Sequence, residues 1–175
     1  MDDSWAHQLE AWHDWYLLVG TAAATLTALT FVVVTLGPQV VVKNAGTGVR
    51  TFVTPTLTYF TTPLLVSVLM LVPGLTSFML GATLAIGGLC GFCYPLAINV
   101  HGQWRENRLD LDDWVWYVGL PFAGYAIIIA ASVAVFLHAP AGLPLTAAGA
   151  VVLLVTGIRN AWDLVLYFAQ QSRGD

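Results

Sequence analysis

Residues 56 to 100 run for two membrane widths without a Lys, Arg, Asp or Glu. One bilayer-spanning helix uses about 20 apolar residues, within a range of about 17–25. The run is therefore too long for one span. Within it, "LVPGLTS" carries Pro73-Gly74, a turn-forming pair. A tight helical hairpin follows as the expected local fold. The composition of the rest supports the same solvent. Charged residues make up 9% of the chain, against about 25% in a soluble domain. A chain of 175 residues exposes too much surface to hide that deficit in a core. Lipid tolerates such a surface.

Five candidate spans emerge, at about 16–36, 54–72, 76–100, 114–137 and 143–168. The second is Thr-rich, and Pro63 is expected to kink it. Lys43 and Arg50 lie between spans one and two, Arg105 and Arg108 between spans three and four, and Arg173 after span five. The N-terminal segment and the turns at 73–75 and 138–142 contain no Lys or Arg. By the positive-inside rule the N-terminus is outside and the C-terminus cytoplasmic. Four or six spans would spoil the alternation. The expected fold class is all-α: one polytopic membrane helix bundle of five transmembrane helices, comprising residues 1–175. The start, "MDDSWAHQLEAWHDW", lacks a basic n-region, so the first apolar segment is expected to be retained. No lipidation motif stands at either end.

Trp5, Leu9, Trp12 and Tyr16 fall at helical spacing. They suggest a short helix over residues 1–15 lying in the outer interface. The alternative is an aromatic belt of Trp12, Trp15 and Tyr16 at the mouth of span one. Trp104, Trp114, Trp116 and Tyr117 form the matching belt at the other face. Asp110, Asp112 and Asp113 suit the N-terminal end of span four, where the helix dipole favours anions. No internal repeat divides the chain, so a transporter of inverted halves within one chain is not expected.

Small residues recur at spacing four: Gly20, Ala24 and Ala28 in span one, Gly81 and Ala85, then Gly87 and Gly91, in span three. Such rows let helix backbones approach closely in lipid, within a subunit or between subunits. Thr21, Thr25 and Ala28 share a face that would suit an aqueous path, although membrane threonines commonly bond back to their own helix. "CGFC", Cys90 to Cys93, resembles a redox pair but has no second pair to relay electrons. It lies about 21 Å from the outer end of span three, toward a reducing compartment. Two buried small apolar side chains on a Gly-rich face are the simpler expectation. Two cysteines without histidines make a poor zinc site. His7, His13, His101 and His138 do not converge, and His13-Asp14 reads as two interfacial polar residues. No nucleophile–base motif, phosphate-cradling loop or intramembrane carboxylate pair appears. Neither catalysis nor a cofactor or metal is expected, and no basic stripe suggests nucleic acid.

The segment "GIRNAWD", residues 157–163, is the outstanding feature of span five. Arg159 lies about 24 Å along that helix from Leu143. An arginine at mid-helix costs about 2.5–3.5 kcal/mol, less where it snorkels near an end. Asp163 follows at i+4 and Asn160 stands three residues before it. Arg before Asp is the weaker order for such a pair, which suggests further partners such as Glu106 or Asp110. The alternative ends span five near Ile158 and lays "RNAWDLVLYFAQQ" along the inner surface. Arg50 offers a second inner cation. It precedes a segment dense in hydroxyls, in which Thr54, Thr58, Thr61 and Thr62 share a helical face.

At "WHDWYLLVGTAAATLTALTFVVVTLGP", "VRTFVTPTLTYF" and "GIRNAWDLV" the chain resembles a family of small bacterial integral membrane proteins. The resemblance implies bacterial origin, the cytoplasmic membrane and a multi-pass class; it carries no activity. The expected function is a homo-oligomeric channel-like or transport-related protein with an ion path between subunits. Thr21, Thr25, Arg50, Thr58, Thr62, Arg159, Asn160 and Asp163 are the candidate pore or gate residues. Expected partners are the lipid bilayer, further copies of the chain and ions. A non-transporting scaffold or accessory subunit is the second expectation, and a membrane-embedded redox or lipid enzyme the third.

Overall fold

A computed structural model describes residues 3–36, 54–100 and 114–171. Every element among them is helical. Helix α1 spans Asp3–Leu36, α2 Thr54–Met70, α3 Ser77–Val100, α4 Leu120–Phe136 and α5 Gly142–Gln171. A π-helical turn, Val115–Gly119, leads directly into α4.

Residues 3–15 depart from expectation. They do not form a separate interfacial helix but continue into span one as a single helix of 34 residues, about 51 Å long. The stripe of Trp5, Leu9 and Trp12 explains the extension, because it packs against the buried core. Trp5 Nε1 donates to the carbonyl of Leu75, in the α2–α3 turn, at 2.9 Å. An apolar face with a helix end to cover has no reason to bend away into the interface.

The α2–α3 turn forms where Pro73-Gly74 placed it, with Gly74 at φ 73°. The α4–α5 turn closes by another device. His138 takes φ 53°, its N–H bonds to Val135 O at 3.1 Å, and Ala139 N–H bonds to Ala134 O at 2.9 Å. This is the Schellman arrangement, with histidine where glycine usually sits. His138 Nε2 also lies 3.2 Å from Ser77 Oγ, which joins the two turns. Tyr16 OH donates to Leu143 O at 3.2 Å. Both short turns and the N-terminal part of α1 thus gather at one end of the bundle. The opposite ends of the helices adjoin the sequence segments that carry the basic residues.

Helix α5 occupies the centre, packed on α4, α2 and α1, while α3 packs on α4. Glycines set two of these seams, α4–α5 and α2–α5. A Cβ at Gly124 would lie 2.8 Å from Leu153 Cδ2, one at Gly149 would lie 2.7 Å from Ile128 Cγ1, and one at Gly157 would lie 2.6 Å from Phe60 Cε1. Around the bundle, large apolar side chains point outward, among them Leu18, Leu65, Phe78 and Ile86. Among the described residues, three helical stretches are long and apolar enough to cross a bilayer: Ser4–Thr35, Val115–Phe136 and Gly142–Leu166. Ser77–Cys93 is a shorter apolar stretch within α3. An apolar exterior on apolar helices of this length makes the chain a membrane protein with transmembrane helices.

Candidate functional site

Two places in the bundle collect polar chemistry. The first lies where α5 passes the π-helical turn. Arg159 Nη1 donates to Asp163 Oδ1, pairing the two across one helical turn. Tyr117 OH donates to the other carboxylate oxygen, Asp163 Oδ2, at 2.7 Å. The guanidinium carbon of Arg159 stands 5.9 Å from the centroid of the Trp116 ring, a distance that allows cation–π attraction. Both aromatic residues come from the π-helical turn, where Leu120 N–H reaches back to Val115 O. Pro121 accounts for that turn. It has no N–H, and its ring would crowd the carbonyl four residues earlier in a regular helix. Widening the helix there relieves the crowding. The carboxylate has both oxygens occupied, while the guanidinium retains unused donors among the described residues and about a third of the Arg159 side chain is exposed, at 35%.

Asn160 stands beside the pair in sequence but not in role. It is buried, and its Oδ1 has no hydrogen-bond partner among the described residues. Ser67 Oγ on α2 is in the same position.

The second place is a cleft of about 510 Å³ between α2 and α3, floored by Tyr125 and Ile128 of α4. The two helices are joined by a short turn yet barely meet. Thr54, Thr58, Thr61 and Thr62 line the α2 wall, and Thr83, Gly87, Gly88, Cys90 and Gly91 the α3 wall. Thr58 and Thr62 hydroxyls donate to the carbonyls of Thr54 and Thr58, each at 2.9 Å, and Thr83 donates to Met79 O at 2.8 Å. Their methyl groups are left to face the space, so the wall is chiefly apolar. One polar point remains at the floor, where Thr62 Oγ1 and Tyr125 OH lie 3.1 Å apart.

The sequence candidates distribute as follows. Thr58 and Thr62 lie in the cleft. Thr21 and Thr25 are exposed on the outside of α1, bonded back to Leu17 O and Thr21 O at 2.8 Å each. The two threonine pairs therefore do not share a path within one chain. Arg50 lies outside the described residues, as do Glu106 and Asp110, the partners suggested for Arg159. Gly20 is buried, and a Cβ there would lie 2.8 Å from Ser67 Cβ. Ala24 and Ala28 are exposed on another face of α1. Gly81 approaches the Phe136 ring, and a Cβ at Gly91 would overlap the Tyr125 ring. Gly87 has open space before it, and Ala85 is half-buried.

Cys90 and Cys93 are both free thiols and both exposed, not buried. The α3 face they occupy turns away from α4, which the row of small residues could not reveal. His13 Nδ1 and Asp14 Oδ1 lie 3.1 Å apart on the exposed side of α1. Among the described residues no three His, Cys, Asp or Glu side chains cluster to hold a metal ion.

Sequence reasoning missed Tyr117 as a hydrogen-bond donor, Trp116 as a stacking partner and Tyr125 as the cleft floor. Pro121 was the available signal for the first two, since a proline early in a helix disturbs the turn before it. Comparison with protein-family models, curated proteins and solved structures gives no match.

Proposed function

We propose that the chain crosses the bilayer five times, N-terminus outside, and acts as a transport-related membrane protein that takes up an apolar molecule sideways from the membrane. The five-span topology is supported by two features together. Both short turns and the N-terminal part of α1 share one end of the bundle, and those segments carry no Lys or Arg. The basic residues fall in the alternate segments, which the positive-inside rule assigns to the cytoplasm. Labelling of tagged termini in intact cells tests it; both termini on one side would refute an odd number of spans.

The α2–α3 cleft carries the uptake reading. At about 510 Å³ it has the size of a small-molecule site. The hydroxyls of Thr58, Thr62 and Thr83 are turned back to their own helices, so it favours an acyl chain or another lipophilic guest over a hydrated ion. Gly87 provides the test, because a side chain there enters the cleft without striking the bundle. A fluorescent fatty acid should bind the protein in nanodiscs, and Gly87→Phe should abolish that binding. Ala24→Phe, on the exposed face of α1, should leave it intact. Equal binding by Gly87→Phe and the parent protein would refute the reading.

A second reading, an ion path between copies of the chain, rests on the exposed α1 face of Thr21, Ala24, Thr25 and Ala28. It requires a closed oligomer and ion flux in liposomes, and a monomer without flux would remove it.

A further inference from the structure

We propose that Arg159 binds the phosphate of an anionic membrane lipid, in the leaflet at the end of the bundle where α4 begins and α5 ends. The depth of the residue is the first argument. Arg159 is 17 residues beyond Gly142, the first residue of α5. At 1.5 Å per residue that is about 25 Å, and Asp163 follows at about 31 Å. A hydrocarbon core about 30 Å thick therefore ends at this pair. The next bilayer group along the axis is the lipid phosphate.

Free valence is the second argument. A guanidinium has five N–H donors. Asp163 engages it through one nitrogen, and no other acceptor binds it among the described residues. The second carboxylate oxygen accepts instead from Tyr117 OH, at 2.7 Å. Trp116 lies against the guanidinium, which leaves the planar fork to present an edge. A phosphate accepts such a fork through two oxygens.

The aromatic surround is the third. Trp114 and Trp162 are exposed at 55% and 59%. Both belong to the helix turns that carry Trp116 and Arg159. Indoles at this depth mark the level of the headgroups.

Native mass spectrometry of the purified protein tests the proposal. The probes are phosphatidylglycerol, phosphatidylcholine of the same acyl chains, and inorganic phosphate. Phosphatidylglycerol should be retained about fivefold better than phosphatidylcholine, the preference expected for one cationic side chain near an anionic lipid. Arg159→Gln should erase that preference, with some loss of melting temperature because the Asp163 carboxylate is left without its cation. Asp163→Asn frees the guanidinium from its competing carboxylate and should strengthen phosphatidylglycerol retention. This second variant decides the matter if Arg159→Gln does not fold, since a residue that only braces α5 would give no gain. An unchanged preference in folded Arg159→Gln, or no gain in Asp163→Asn, would overturn the proposal. Displacement of the lipid by millimolar inorganic phosphate would overturn its lipid assignment in favour of a soluble anion.

Discussion

Gly157→Ala and Gly87→Ala make the same chemical change in two helices and should have opposite consequences. At Gly157 the new methyl would stand 2.6 Å from Phe60 Cε1 and 2.8 Å from Cδ1. Phe60 is fully buried at 0% exposure, and its ring can shift only toward the hollow of about 230 Å³ that it lines with Leu29 and Thr30. Overpacking of this kind costs about 1–3 kcal/mol. Alanine gives back up to about 1 kcal/mol through its better helix propensity. Taken at the middle of both ranges, the net expectation is a loss of about 1–2 kcal/mol, and about 2–4 °C of melting temperature per kcal/mol for a chain of this size. Gly157→Ala should therefore melt about 2–8 °C lower. At Gly87 nothing lies within 4 Å of the added methyl, so only the propensity gain remains. That variant should melt at the parental temperature or slightly above. Thermal unfolding in one detergent, followed by intrinsic fluorescence, measures both. Equal melting temperatures for the two variants would refute the claim that Gly157 is there to admit Phe60 rather than to loosen the helix.

Tyr117→Phe removes the donor to Asp163 Oδ2 at 2.7 Å and should cost about 1.5–3 kcal/mol, the range for a hydrogen bond to a charged group, read as a lower melting temperature. Trp5→Phe removes the 2.9 Å bond to Leu75 O; amide exchange should rise in the first turns of α1 and stay unchanged beyond Gly20. His138→Gly relieves a left-handed backbone at φ 53° and should raise the melting temperature, with a gain of up to about 1 kcal/mol. A drop would mean that the Ser77 contact outweighs the strain. Asp163→Asn leaves an unneutralised arginine at the hydrocarbon edge, whereas Arg159→Gln with Asp163→Asn removes both charges. The double variant should be more stable than Asp163→Asn alone, and strict additivity in the four-way comparison would refute the pairing.

Much of the helix layout was legible in the residues because lipid imposes a simple rule. Each helix must be long and apolar, and the chain can turn only where turn chemistry permits. Pro73-Gly74 is such a place, and the turn is there. The start of α1 was not legible, for a physical reason. A stripe of Trp5, Leu9, Trp12 and Tyr16 has the same spacing whether it meets headgroups or a protein core. Only the position of Leu75, seventy residues away in sequence, decides between them. Threonine direction was ambiguous in the same sense. Thr58 and Thr62 have the spacing of a polar wall, yet each finds its nearest acceptor in its own helix. The cleft was invisible because it is made by two chain neighbours failing to touch.

The Arg159–Asp163 pair shows why a sequence pattern can place a site without furnishing it. Spacing alone put the two residues on one face. It also showed that the order, cation before anion, is the poorer one against the helix dipole, and so that help was needed. The inner-loop carboxylates were natural candidates for that help, since they carry formal charge. The described structure supplies neutral groups from the π-helical turn before α4. In low dielectric this is the better arrangement: a second carboxylate would leave the cluster with net charge, which costs more to bury than a phenol and an indole. Tyr117 satisfies the oxygen that Arg159 does not reach, and Trp116 stabilises the cation without adding an anion. A cluster neutral within itself can rest at the edge of the hydrocarbon. The unused edge of its guanidinium is then directed to whatever anion the bilayer brings to that depth.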